Sequence, residues 1–164
     1  MLQGALVFAL AAVVYLGALG NDPFYSWREA REALVVQAEL VSGEWILPLR
    51  NGVEIPTKPP LYYWLAGLVA LARDGVDPFA MRLPSALLAL AGIVAVFLRG
   101  GLAAGLVLAT SLEWLRAGTS ARVDMTQAAF LTGAFLAFEA ATRAARPSAR
   151  ALVALYGCMA LATL

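Results

Sequence analysis

The sequence predicts an all-α integral membrane fold: about five transmembrane helices, the last one truncated, and a large outer-face loop with juxtamembrane helices. Three observations predict it. The composition is 62% hydrophobic and 14% charged, with mean hydropathy +0.77; a soluble domain averages about 45–50% apolar and about 25% charged. The apolar runs Leu2–Gly20 and Leu83–Leu98 do not alternate with polar residues as barrel strands do. In lipid, backbone groups must pair within their own segment, so such runs form helices. Finally, polar residues gather in one stretch, Trp27–Trp64. It holds five of the eleven acidic residues, four of the twelve basic ones, four of the eight prolines and three of the four tryptophans. In so apolar a chain, that stretch is where chemistry is expected.

Leu2 to Gly20 is long enough to cross a bilayer, which takes roughly 20 residues. It lacks a positive n-region and a small-x-small cleavage site before Asn21, so residues 2–20 read as an uncleaved first span rather than a signal peptide. Asn21-Asp22-Pro23 breaks the helix. Ser26 to Val41 reads as a helix at the membrane surface. Ser26-x-x-Glu29 fits a capping box. Ala30, Ala33, Leu34, Ala38 and Val41 fall on one face, and Arg28, Glu29, Arg31, Glu32 and Glu39 on the remainder. Gly43 supplies a C-terminal stop and Asn51-Gly52 a turn. Pro56, Pro59 and Pro60 fix φ around Lys58, which is presented from a stiff, extended strand.

Leu61 to Ala72 is apolar but only twelve residues long, which fits an interfacial or re-entrant segment. The outer loop then runs over residues 21–78, and the remaining spans are 79–98, 102–117, 125–142 and 151–164. Arg99 and the cluster Arg143, Arg146 and Arg150 fall on the side opposite the Trp27–Trp64 loop. The positive-inside rule makes that side cytoplasmic. The loop and the segment Gly118 to Asp124 then share the periplasmic or extracellular face of an inner (plasma) membrane, multi-pass protein. The chain ends at Leu164 within an apolar helix, which reads as part of a longer protein.

Some chemistries are excluded. The net charge of +1 gives no electrostatic case for nucleic acid. The lone Cys158 forms no internal disulfide. Absence of histidine removes His-based acid–base chemistry and His metal ligation from this chain. Glu139 with Arg143, and Glu113 with Arg116, are spaced to pair along their helices.

Several blocks carry a resemblance. They are Glu29-Ala30-Arg31, Gly43-Glu44-Trp45, Pro48, Asn51-Gly52 and Lys58-Pro59-Pro60-Leu61-Tyr62-Tyr63-Trp64, then Arg82-Leu83-Pro84-Ser85 and Ala121-Arg122-Val123-Asp124. Together they resemble the bacterial GT-C glycosyltransferases that use polyprenyl-phosphate sugars, a cell-envelope family that includes lipid A aminoarabinose and protein O-mannosyl transferases. The family pattern is Asp-Glu-x-Arg-Tyr, Gly-Asp-Trp, Asn-Gly, then Lys-Pro-Pro-Leu-x-Tyr-Trp. The resemblance covers nearly the whole chain and corresponds to the N-terminal part of a family member. It implies a membrane transferase moving a sugar from a polyprenyl-phosphate donor to a hydroxyl of a lipid, glycan or protein.

Such a transfer needs a carboxylate to deprotonate the acceptor and cations where charge develops on the leaving phosphate. The resemblance puts Glu29 first and Asp124 second for the carboxylate. Lys58 and Arg31, then Arg122, are the phosphate ligands. Trp45, Tyr62, Tyr63 and Trp64 are the residues for a lipid or sugar groove. Two positions depart from the family: Arg28 stands where its first acid would be, and Thr57 where a glutamate often precedes the lysine. Some members bind a metal there; with neither that glutamate nor a histidine, no metal and no cofactor is expected.

Plainer readings exist for the same residues. Glu29 fits a helix cap and Asp124 a helix N-terminal charge. Arg31 fits a surface ion pair worth about 0–1 kcal/mol, and Lys58 a lysine reaching lipid phosphate. Tyr62, Tyr63 and Trp64 fit an aromatic belt. The alternative function is a non-catalytic membrane scaffold, or a degenerate family copy, that binds lipid head groups. A transporter would break its helices at mid-bilayer, whereas these prolines gather in a loop.

Overall fold

The computed structural model describes residues 2–17, 19–143 and 146–164; Ala18, inside the first expected span, lies outside them. The described residues form seven helices and no strand: α1 (Leu2–Leu16), α2 (Trp27–Ser42), α3 (Leu61–Ala72), α4 (Pro78–Thr110), α5 (Leu112–Gly118), α6 (Val123–Arg143) and α7 (Ala149–Thr163). Among them α4 is the one helix long and apolar enough to cross a membrane.

Helix α4 starts where Asp77 caps it, accepting from the Ala80 N–H at 2.7 Å, with Pro78 in its first turn. It is interrupted at Gly101, whose φ of 76° suits glycine. The chain reverses there, because Gly105 lies against Cβ of Phe97 and Gly118 against Ala89. The arm that leads on from Gly101 is itself broken at Ser111, where α5 begins. The expected segment 102–117 is therefore two helical pieces rather than one.

Helix α1 runs antiparallel to the first arm of α4, with Gly4 against Phe97 and Gly20 against Phe79. The Tyr15 hydroxyl donates to the Ala109 carbonyl at 3.2 Å, tying α1 to the arm that follows Gly101 as well. Helix α6 packs on α3, α4, α5 and α7. The Leu61 N–H donates to the Leu164 carbonyl at 2.7 Å, joining α3 to the end of α7. Alanines and glycines at these contacts let the helix backbones approach closely. Glu139 pairs with Arg143, and Glu113 with Arg116 at 3.2 Å, as the spacings implied, and Arg99 of α4 joins Glu139 at 2.8 Å.

The buried face of α2 is not the one its alanines indicate. Of Ala30, Ala33, Leu34, Ala38 and Val41, only Ala33 is buried, and Val41 is 77% exposed. The inward face carries Glu29, Glu32, Ala33, Val35, Val36 and Glu39. It packs with Tyr62, Tyr63, Ala66, Ala70 and Met81 in one apolar cluster. Three acids turn inward because two of them meet specific donors. At the helix start the Glu29 N–H donates to Ser26 Oγ at 3.4 Å, but the Glu29 carboxylate reaches the Tyr25 N–H instead of that of Ser26. Gly43 ends the helix in the left-handed region at φ 72°. Asn51 and Gly52 both take positive φ in the turn that pairs Arg50 with Glu54.

The third acid, Glu39, is fully buried with neither oxygen hydrogen-bonded. It lies next to Gly67 of α3, beside the Trp45 ring. Burial disfavours its charged form and pushes its pKa from the ordinary 4.5 up to about 7. A raised carboxyl pKa gives stability that is complete below about pH 4.5 and is lost as pH rises through about 7. The thermal midpoint is therefore expected to fall between pH 5 and pH 8, and Glu39→Met to flatten that fall. A thermal-melt series in which the variant keeps the full dependence would contradict this assignment.

Candidate functional site

The start of α2, the extended Lys58 segment and the turn into α6 meet around a cleft of about 270 Å³. Trp27, Arg28, Arg31 and Glu32 line it from α2, Lys58 from the proline frame, and Ala121 to Asp124 from the opposite side. Lys58 Nζ lies 3.2 Å from Asp124 Oδ1, bringing together residues 66 positions apart. Both side chains are open to solvent. Arg31 grips Glu32 Oε1 through Nε at 3.2 Å and Nη2 at 2.8 Å, while the Tyr63 hydroxyl donates to Glu32 Oε2 at 2.5 Å. The Trp27 ring lies beside both Arg28 and Arg31, with guanidinium carbons 5.7 and 5.3 Å from its centroid.

A second cleft of about 240 Å³ adjoins the first. Tyr25, Ser26, Arg28, Glu29, Arg116, Thr119, Ser120, Ala121 and Arg122 line it. Arg28 and Arg122 border both clefts. The backbone of Arg122 is fixed by Ser85, whose hydroxyl donates to the Arg122 carbonyl at 3.3 Å.

Glu29 sits behind the first cleft and at the wall of the second, 2% exposed. Its Oε1 accepts from Arg82 Nε at 3.0 Å and the Ala121 N–H at 2.8 Å; its Oε2 accepts from Arg82 Nη2 at 3.1 Å and the Tyr25 N–H at 2.7 Å. Burial alone would raise its pKa. The bonds from Arg82, Ala121 and Tyr25 outweigh burial and hold it below the usual carboxylate range. Arg82 is fully buried and uses all five donors: the remaining three go to the carbonyls of Leu19, Asp22 and Pro23 at 3.1, 3.1 and 2.8 Å.

The structure thus brings together Arg31, Lys58, Arg122 and Asp124 in one cleft and places Glu29 behind it. The four groove aromatics do not line either cleft. Tyr62 and Tyr63 are core residues, because their hydroxyls are spent on the Met81 carbonyl and on Glu32. Trp64 donates from its indole to the Trp45 carbonyl at 2.6 Å, and those two rings belong to the packing of the loop. Sequence reasoning missed Trp27, Glu32 and Arg82. An arginine in a motif next to an apolar run was the available signal for Arg82, since a charge there must find a partner.

No protein-family model matches the chain. Over 99 residues it is 35% identical to the undecaprenyl phosphate-α-4-amino-4-deoxy-L-arabinose arabinosyl transferase of Pseudomonas savastanoi pv. phaseolicola, a match covering 60% of this chain and 18% of that one. Its fold matches crystal structures of ArnT from Cupriavidus metallidurans. The apo state aligns with TM-score 0.83 at 25% identity, and the state bound to undecaprenyl phosphate with TM-score 0.84 at 26%. The resemblance is to the lipid A aminoarabinose transferases of the GT-C type. The match covers 96% of this chain and 31% of the ArnT chain, so the chain spans less than a third of the proteins it resembles.

Removing one member of a buried ion pair strands the other, at a cost of about 3–5 kcal/mol. Arg82→Met and Glu29→Leu are each expected to destabilise the chain by that order in denaturant unfolding. The double variant should lose clearly less than the sum of the two. Additive losses would show that the pair does not act as a unit.

Proposed function

We propose that the chain forms the donor-phosphate side of a membrane glycosyltransferase, which moves a sugar from a polyprenyl-phosphate donor to a hydroxyl of a lipid, glycan or protein acceptor. The observation that carries this reading is the cleft lined by Arg31, Lys58 and Arg122, in which Lys58 pairs with Asp124. Its support is the likeness to ArnT, one of whose structures holds undecaprenyl phosphate.

In this reading the leaving phosphate takes Lys58 away from Asp124. Lys58 acts as a point charge on its stiff mount, and Arg31, held on Glu32 through Nε and Nη2, turns its Nη1 donors to the phosphate. Freed from Lys58, the exposed Asp124 carboxylate accepts the acceptor's proton as C1 is attacked. Glu29 has all four acceptor positions occupied and a lowered proton affinity, so we assign it positioning of the cleft rather than proton transfer. The cleft faces the outer side, with spans at 2–20, 79–98, 102–117, 125–142 and 151–164.

The second reading, a non-catalytic scaffold or degenerate copy binding lipid head groups, is favoured by Arg28 at the place of the family's first acid. It shares the phosphate cleft, and sugar transfer from a polyprenyl-phosphate donor that is lost in Lys58→Ala would exclude it.

A charge-assisted hydrogen bond is worth about 1.5–3 kcal/mol, or about tenfold and more in affinity. Binding of undecaprenyl phosphate to the chain in nanodiscs is therefore expected to weaken at least about tenfold in Lys58→Ala. Equal affinity of the variant and the parent would refute the phosphate assignment. For sidedness, single cysteines at positions 28, 58 and 124 in a Cys158→Ala background should react with an impermeant maleimide from one side, and position 146 from the other. Labelling of 58 and 146 from the same side would contradict the orientation.

A further inference from the structure

Helix α3 lies across the start of α4. Near one end of α3 the Tyr62 hydroxyl donates to the Met81 carbonyl at 2.7 Å. Just past its other end Arg73 donates to Asp77, the cap of α4, through Nε at 2.9 Å and Nη2 at 2.7 Å. The twelve residues of α3 span about 18 Å, whereas Asp77 to Met81 covers about 6 Å of α4. Both ends of α3 meet that short stretch, so α3 crosses the start of α4 instead of running down its side. Because α4 is long and apolar enough to cross a membrane, a helix laid across its start lies along the membrane surface. The face of α3 that carries Tyr63, Ala66, Gly67 and Ala70 is buried, and Leu68 and Leu71 on the opposite face are exposed. A short apolar helix in that position turns such a stripe to lipid.

The hairpin of residues 44–55 continues this stripe. Its Trp45 ring lies against Gly67 of α3, where an added Cβ would come within 2.8 Å of it, and the Trp64 indole holds the Trp45 carbonyl at 2.6 Å. Directly after Trp45, Ile46 is 80% exposed, and Leu47, Leu49, Val53 and Ile55 are exposed as well. So many open aliphatic side chains in so short a segment mark a contact surface. Between Trp45 and Thr57 the only charged residues are Arg50 and Glu54, and they pair with each other. The backbone donors of Ile46 and Leu47 are also taken, because Glu44 Oε1 accepts from them at 3.1 and 3.4 Å. Apolar side chains, no lone charge and satisfied backbone donors are what contact with lipid requires. Tryptophans at the edge of such a surface suit the head-group level.

We propose that the 44–55 hairpin is a membrane anchor: Ile46 and Leu47 dip into the leaflet beside Leu68 and Leu71 of α3, with Trp45 and Trp64 at the head-group level. The surface that adjoins Ile46 and Leu47 across Trp45 is the outward stripe of α3, which commits the patch to lipid rather than to a second protein. The proposal needs α4 to cross the bilayer, but neither the sugar-transfer reading nor the orientation of the chain. The return strand leads through Pro56 into Lys58, so the depth of the hairpin also sets the height of that lysine above the acyl chains.

Fluorescence quenching in nanodiscs of phosphatidylcholine and phosphatidylglycerol tests the anchor. In a Cys158→Ala background, Ile46→Cys, Leu47→Cys, Leu68→Cys and Gln37→Cys chains each carry one polarity-sensitive nitrobenzoxadiazole label. Gln37, exposed on the face of α2 turned away from α3, is the reference for water. Labels at 46, 47 and 68 should emit to the blue of the label at 37. Phosphatidylcholine with a nitroxide high on its acyl chain should quench those three, whereas aqueous iodide should quench only the label at 37. Adding Ile46→Asp should abolish lipid quenching at 47 and open that label to iodide. The thermal midpoint should not change, because Ile46 lies outside the packed core. Iodide quenching at 46 with lipid quenching at 68 would overturn the anchor and leave α3 at the surface. Iodide quenching at both would overturn the crosswise placement as well. Protection of 46 from both quenchers would mean that protein covers the patch, and dependence of that protection on the number of chains per disc would identify a second copy; either result overturns the proposal.

Discussion

The Glu29–Arg82 pair holds the site in place. A charged pair removed from water is costly unless its remaining donors and acceptors are also satisfied, and here they are. Arg82 of α4 reaches Glu29 of α2 and the carbonyls of Leu19, Asp22 and Pro23. Glu29 in turn takes the N–H groups of Tyr25 and Ala121. Three chain segments distant in sequence, residues 19–29, Arg82 and Ala121, are fixed at one buried point. The Ala121 bond sets the register of the segment that carries Arg122 and Asp124, so the width of the cleft follows from a contact behind it.

Helix α2 illustrates how polar partners override a pattern of small apolar residues. Its inward acids are treated in three ways. Glu29 is saturated by Arg82 and backbone donors, Glu32 is shared between Arg31 and the Tyr63 hydroxyl, and Glu39 has no hydrogen-bond partner among the described residues. The first two place charge at the cleft or behind it. Glu39 packs by Gly67 and Trp45, away from the cleft, and is accommodated by becoming neutral more readily than an exposed acid.

Much of the fold was legible from local rules. The stop at Gly43, the Asn51-Gly52 turn, the short helix Leu61–Ala72 and the pairing of Glu139 with Arg143 follow from residue type and spacing alone. The inward face of α2 did not, because its orientation depends on Arg82, Tyr63 and Ala121, each far away in sequence. Nor did the break at Ser111, which lies inside an apolar run. In the site, Lys58, Arg31, Arg122 and Asp124 were named from motif blocks and do converge. The burial of Glu29 and of Tyr62 and Tyr63 was hidden, because a carboxylate or an aromatic in a motif looks the same whether it faces a ligand or a neighbouring helix.

The central claim is that the lipid phosphate sits between α2, the Lys58 segment and the start of α6. Photo-crosslinking tests it most directly, using undecaprenyl phosphate that carries a diazirine next to its phosphate, with the attachment sites mapped by peptide mass spectrometry. The account expects adducts on Trp27 to Glu32, at Lys58 and on Ala121 to Asp124. Adducts confined to the outward surfaces of α1 and α7, with none at those three segments, would contradict it.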